Sequence, residues 1–241
     1  MDRLSSVRTN SLFGSSRSIA ILVAACAIIW TGPAAAGLVL NGSFELGTFT
    51  GGNSLAQQIQ PGESGLSSWT VNDAPLTWYA SGWNNNPQQI VLTPRTGNFG
   101  VNLADGTVNT IRISQTINLL AFQQYQLSFW VGNYSANNGP AGLNVNITDG
   151  TSNTILLSES VTAPSTNESS TWIRFAFNFI ADGTSNTISF NEVNGPSYIG
   201  LDDVSIAAVP EPAPWAMMIL GFAAVGFMAY RRNSRPALMV A

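Results

Sequence analysis

The chain has 241 residues, 9 basic and 13 acidic side chains, no histidine, and arginine as its only basic residue. Between Gly37 and Val209 three arginines (Arg95, Arg112, Arg174) face 11 acids, a net of −8, so nothing there offers the basic footprint that nucleic acid or anionic lipid recruits. That stretch has no His, Cys or Lys, which excludes Ser-His-Asp and Cys-His nucleophiles, the usual zinc sites and Schiff-base chemistry.

In Met1 to Arg17, Arg3, Arg8 and Arg17 stand against Asp2, and the apolar run Ile19 to Trp30 that follows is 12 residues, too short to span a bilayer comfortably. Thr31-Gly32-Pro33 and Ala34-Ala35-Ala36 then supply the small residues a signal peptidase accepts. Residues 1–36 read as a cleaved secretory signal; the same residues also allow an uncleaved signal anchor. The one cysteine, Cys26, lies in this signal and leaves with it, so the mature domain has no disulfide to stabilise it.

Residues 37–208 form one domain with a sizeable core, and its pattern is strand. Thr171 to Ile180 sets Ile173, Phe175, Phe177 and Phe179 on one face, with Trp172, Arg174, Ala176 and Asn178 on the other. Tyr125 to Val131, Leu143 to Ile147 and Thr110 to Ile117 alternate the same way, the first of them turning Trp130 away from Phe129. Further strands are expected at Gly37 to Leu40, Ser68 to Val71, Leu76 to Ala80, Gln89 to Leu92, Phe99 to Leu103, Thr154 to Ser158, Thr187 to Phe190 and Tyr198 to Ile206. Many short strands with polar outer faces predict an all-β, antiparallel two-sheet sandwich. Asp149 to Ile155 and Asp182 to Ile188 both read D-G-T-S-N-T-I, and Asp105 to Ile111 reads D-G-T-V-N-T-I. Their unequal spacing speaks against a solenoid; a turn whose glycine takes positive φ explains them better.

Asn41-Gly42-Ser43-Phe44-Glu45 opens the domain and Leu201-Asp202-Asp203-Val204-Ser205-Ile206 closes it, with Ser68-Trp69-Thr70-Val71, Ser114-Gln115-Thr116-Ile117 and Tyr125-Gln126-Leu127-Ser128-Phe129 in between. In order, these resemble the galactose-binding-like jelly rolls of carbohydrate-binding modules and choice-of-anchor surface domains. The resemblance implies neighbouring first and last strands with a structural Ca²⁺ between them, held by Glu45 and Asp203 with Asp202 and Asn41 contributing; hard oxygen ligands suit that ion. The residues alone equally allow Glu45 and one aspartate to cap strand ends.

Trp78, Tyr79 and Trp83, followed by Asn84, form the densest cluster of aromatics and amides, and Trp130 with Tyr134 a second. Indole faces stack on sugar rings while amides read hydroxyls, so these six are the candidate glycan contacts. Adjacent Asp202 and Asp203 should point to opposite faces of a strand and cannot flank one glycosidic bond, so no catalytic role is expected.

The chain closes on Val209-Pro210-Glu211-Pro212, the 18 uncharged residues Ala213 to Tyr230, and Arg231-Arg232. As a helix the run reaches about 27 Å, near a bilayer's hydrocarbon core, and the arginines would keep residues 233–241 cytoplasmic. Pro210-Glu211-Pro212, Trp215 and the Arg231-Arg232 pair resemble the PEP-CTERM sorting tail of Gram-negative bacteria. The resemblance implies a transmembrane segment over residues 209–232, processing by an exosortase after the signal peptidase, and passage from the inner membrane to the cell surface or extracellular matrix. The expectation is a noncatalytic exported protein associating with extracellular polysaccharide; a structural or adhesive coat protein without glycan ligand, and a glycan-cleaving enzyme, are the alternatives.

Overall fold

Residues 38–85, 90–103, 111–133, 141–163, 171–193, 198–210 and 214–233 are described by a computed structural model. Their strands are β1 (Ala56–Ile59), β2 (Thr70–Asn72), β3 (Leu76–Ala80), β4 (Trp83–Asn85), β5 (Ile90–Leu92), β6 (Phe99–Asn102), β7 (Arg112–Asn118), β8 (Gln124–Asn133), β9 (Ala141–Asp149), β10 (Ile155–Ala163), β11 (Trp172–Ile180), β12 (Ser185–Glu192) and β13 (Ile199–Ala208). One sheet has the order β1-β3-β6-β13-β8-β11, the other β10-β9-β12-β7-β2, and β4 pairs with β5 as a separate ribbon. Apart from the β9-β10 hairpin, every connection from β6 to β13 crosses between the sheets, giving the expected antiparallel jelly-roll sandwich.

The alternation sets the packing. Leu127, Phe129 and Val131 of β8 point inward to meet Val145 and Ile147 of β9 and Ile188 and Phe190 of β12, all buried. Phe129 stacks on Phe175 at 5.8 Å and meets Phe190 edge-on at 5.0 Å, which ties β8, β11 and β12 into one layer of rings. Outer-face residues of β11 (Arg174, Ala176, Asn178) are exposed, as period-2 geometry requires.

Three expectations are corrected. Residues 38–40 do not form a strand: Asn41 (φ 51°) and Phe44 (φ 59°) take left-handed conformations and pull this segment off the ladder. It straps the sandwich instead, through Leu40 N to Gln115 Oε1 (2.8 Å), Gln115 Nε2 to Leu40 O (2.8 Å) and Val204 N to Gly42 O (2.9 Å). In the D-G-T-S-N-T-I turn after β9 the left-handed residue is Asn153 (φ 55°), and neither Gly150 nor Gly183 has positive φ. At Gly183 a Cβ would lie 2.0 Å from Asp149 Oδ2 of the neighbouring turn, so a side chain there would have to displace that carboxylate.

The third correction concerns β13, where the register shifts between Asp202 and Ser205 and Asp203 sits at φ 48°, so alternation breaks and both aspartates turn to the same loop. In the tail, helix α1 (Pro214–Asn233) forms where expected; the transmembrane segment expected over residues 209–232 is not shown, since among the described residues no helix is long and apolar enough to cross a membrane. Its ends carry Pro214, Arg231, Arg232 and Asn233, and the 16 uncharged residues Trp215 to Tyr230 between them reach about 24 Å as a helix. Residues 1–36, Asp105, Tyr134, Glu211, Pro212 and residues 234–241 lie outside the described residues.

Candidate functional site

Register places one row of residues across the outer face of the six-stranded sheet. Ala56 pairs with Tyr79 and Tyr79 with Gly100; Asp202 pairs with Trp130, and Trp130 with Arg174. The adjacent row runs Gln58, Thr77, Asn102, Gly200, Gly132, Trp172. Glycines there leave room for rings: Tyr79 lies over Gly100, where a Cβ would come within 2.9 Å of its hydroxyl. Below Trp130 the face becomes small and polar, with Ser128 and Ser205 2.9 Å apart and Gln126 donating to Asn178 at 3.2 Å.

A loop over residues 93–98 is clamped against this face by carboxylates. Asp202 Oδ2 accepts the backbone N–H groups of Arg95 (2.9 Å) and Thr96 (3.2 Å), and Oδ1 accepts that of Asp203 (2.7 Å). Asp203 takes the Thr96 hydroxyl (2.6 Å) and the Arg95 guanidinium (2.8 Å). Glu45 accepts from Asn98 N (3.0 Å) and Phe99 N (2.8 Å). At Gly97, where φ is +64°, a Cβ would fall 2.3 Å from Glu45 Oε1, so the clamp closes only on glycine. Arg95 then lies over the Trp130 ring, its guanidinium carbon 3.9 Å from the centroid.

Asp202 is fully buried, and burial first, then the charge of Asp203, pushes its carboxyl up to about 7 against the pull of its N–H donors. Its oxygens face the loop backbone, so it has none turned to a ligand.

The residues expected to bind calcium are turned to donors of the protein itself. Glu45, Asp202 and Asp203 direct their oxygens at N–H and O–H donors, and Asn41 binds its own turn through Leu46 N (2.9 Å), Leu46 O (2.8 Å) and Ser67 O (2.9 Å). Among the described residues no group of three or more acidic, His or Cys side chains could hold a metal. Glu45 accepts at the start of β6, through Phe99 N, while Asp202 and Asp203 hold the loop before it.

The two aromatic clusters are redistributed. Trp78 is 1% exposed, donates to Phe44 O at 3.0 Å and packs edge-on against Phe49, so it is core and offers no ligand face. Tyr79 is buried under the β4-β5 ribbon with Leu92, Ala56, Trp83, Trp172 and Tyr198. Trp83 and Trp130 stay half-buried and Asn84 exposed. Trp172 and Arg174 join Trp130 although they were not among the expected contacts; their outward positions on the clearest alternating strand were the available signal. Elsewhere, an open cleft of about 600 Å³ lies between Leu40, Ser67, Ser68 and Gln115, but its Trp69 is only 3% exposed and presents no stacking face.

The family model described as protein of unknown function (DUF642) matches residues 37–205. The chain belongs to the DUF642 family. A second model, the PEP-CTERM protein-sorting motif, matches residues 208–233, and marks this DUF642 protein as an exported protein of Gram-negative bacteria targeted to the cell surface. No curated protein is similar to it at a significant level. Its fold resembles solved carbohydrate-binding modules. A family 4 module is 18% identical, over 71% of this chain and 99% of the other, at a TM-score of 0.40. A family 61 module in complex with β-1,4-galactotriose is 18% identical, over 72% and 99%, at 0.42. A xylan-binding family 22 domain from Paenibacillus barcinonensis is 14% identical, over 65% and 94%, at 0.41.

Proposed function

We propose that this DUF642 protein is a noncatalytic surface or matrix component that binds extracellular polysaccharide on the outer face of its six-stranded sheet, after export and processing by signal peptidase and an exosortase. The observation that carries the reading is the make-up of that face. Half-buried Trp130 and Trp172 stand beside Arg174 and a lane of Ser128, Ser205, Gln126 and Asn178. Aromatic walls give a sugar ring an apolar surface, and hydroxyls and amides beside them exchange hydrogen bonds with its hydroxyls. Away from the 93–98 loop and the β4-β5 ribbon the face is exposed at Arg174, Ala176, Asn178 and Ser205, which suits a polymer that runs past the site.

Three of the sandwich's eleven carboxylates, Asp202, Asp203 and Glu45, are engaged in holding the 93–98 loop, which supports a noncatalytic role for them. Affinity electrophoresis against a panel of polysaccharides tests the binding: retardation that falls in Trp130→Ala and persists in Trp83→Ala is expected. No retardation on any glycan would favour the coat-protein reading. For sorting, mass spectrometry of surface extracts should find mature protein without Arg231 and Arg232; an intact C-terminus in a host that has the protease would contradict processing.

A further inference from the structure

The sandwich has only three arginines, no lysine and no histidine, so the position of each cation carries information. Arg112 pairs with Asp73 at 3.0 Å, on the five-stranded sheet. Arg95 pairs with Asp203 at 2.8 Å and lies on Trp130. Arg174 is exposed and makes no ion pair with any described residue. In β11 it follows Trp172 by two positions, on the same face, and directly opposite it in β8 stands Trp130. Among the described residues it is the one arginine of the sandwich without an ion pair, and it stands on the edge strand of the six-stranded sheet beside two half-buried tryptophans, in a domain with a net charge of −8.

A neutral polysaccharide gives a guanidinium no partner of matching charge, whereas a carboxylate presents two oxygens that a planar N–H fork meets as a pair. Among the described residues, the two acids of the neighbouring strand β13 do not compete for it. Asp202, across Trp130, is buried with its oxygens on backbone N–H groups, and Asp203 is taken by Arg95 and Thr96. The negative charge elsewhere on the domain is screened beyond about 8 to 10 Å at physiological ionic strength, so the local cation governs contact at this face.

We propose that the outer face selects an acidic polysaccharide, one built of carboxylate-bearing sugars, with Arg174 meeting the carboxylate and Trp130 and Trp172 flanking the ring. This rests on the glycan-binding reading above and names its ligand class.

The test is affinity electrophoresis of the exported protein in gels containing polygalacturonate or alginate, against dextran, β-1,4-galactan and dextran sulfate, with EDTA present to remove cation bridging. Retardation on the carboxylated polymers should exceed that on the neutral ones. It should weaken roughly tenfold or more in Arg174→Gln, the scale of a lost charge-assisted pair, and recover in part in Arg174→Lys. Arg112→Gln, with the same change of net charge on the other sheet, should leave it unaltered. Arg174 is exposed, so its variants are expected to keep the wild-type melting temperature, measured alongside. Equal retention on neutral polymers, preference for dextran sulfate over the carboxylated pair, or equal losses in Arg174→Gln and Arg112→Gln would overturn the proposal while leaving glycan binding standing. No retention on any polymer would overturn both.

Discussion

Asp202→Asn should flatten the dependence of stability on pH between about 4 and 7. In the folded chain burial holds this carboxyl at about 7, against 3.8 for an exposed aspartate. Below pH 3.8 both folded and unfolded chains are protonated there, and the stabilising contribution of the neutral group is fully present. As pH rises, the unfolded chain releases its proton first while the folded chain keeps it, so stability falls until the folded group also ionises near pH 7. Three units at about 1.4 kcal/mol each put the loss on the order of 4 kcal/mol. Asparagine does not titrate. Its one oxygen can serve the Arg95 and Thr96 N–H groups but leaves Asp203 N–H without an acceptor, a pH-independent cost of about 1 to 2 kcal/mol. Urea unfolding of both proteins at intervals from pH 4.5 to 7.5 reads the difference directly. Wild type should be the more stable at pH 4.5, and its advantage should shrink and then reverse by pH 7.5. A constant gap across the range, or an advantage that grows with pH, would refute the burial argument.

Gly42→Ala should cost about 3 kcal/mol or more, because its Cβ would stand 1.9 Å from the backbone oxygen of Val204, an atom that no rotamer change can move; denaturant midpoints measure it. Trp78→Ala should lose about 3 to 5 kcal/mol as a core deletion, whereas half-buried Trp83→Ala should lose about 1 kcal/mol, and comparable losses in the two would contradict the burial assigned to them. Calorimetric melting in excess EGTA should leave the midpoint unchanged, since Glu45, Asp202 and Asp203 already have N–H and O–H partners; a large drop would favour the calcium reading.

Where one rule acts alone, the sequence was legible. Leu76–Ala80 and Trp172–Ile180 form strands within a residue of their alternating or β-branched runs, and Trp130 faces outward because period 2 turns it away from Phe129. What periodicity could not reveal was a second layer on the outer face. Thr77 and Tyr79 are as buried as Leu76 and Trp78, because the β4-β5 ribbon covers the side of β3 that alternation would leave wet. Nothing local to Trp78-Tyr79 announces that ribbon, so an aromatic pair that reads as a binding platform is in fact shared between two cores. What the paired aspartates hold was hidden for a related reason. Asp202 and Asp203 converge through a bulge and a left-handed residue, and the groups they satisfy are the N–H donors of a loop more than a hundred residues earlier in the chain.

That use of acids explains how a domain without disulfides, lysine or histidine fixes its loops. A carboxylate can accept several N–H groups at once and needs no cation for it: Glu45 holds Asn98 and Phe99, Asp202 holds Arg95 and Thr96, and Asp149 holds Thr151 and Ser152. At Asp149 the Ser152 and Thr151 N–H groups win over desolvation and keep the carboxyl below its ordinary value; at Asp202 burial wins and raises it. The same arrangement leaves the domain's cations few and their positions informative. Arg95 is held by Asp203 and serves to brace Trp130, and Arg112 is tied to Asp73 on the far sheet. If Arg174 were only a solvated strand residue, any outward position of β11 would serve it equally, such as those of Ala176 or Asn178, which lie beside Ser128 and Gln126. It stands instead at the one outward position of β11 paired with a tryptophan, and that coincidence of charge and aromatic surface makes the outer face the place to look for the ligand.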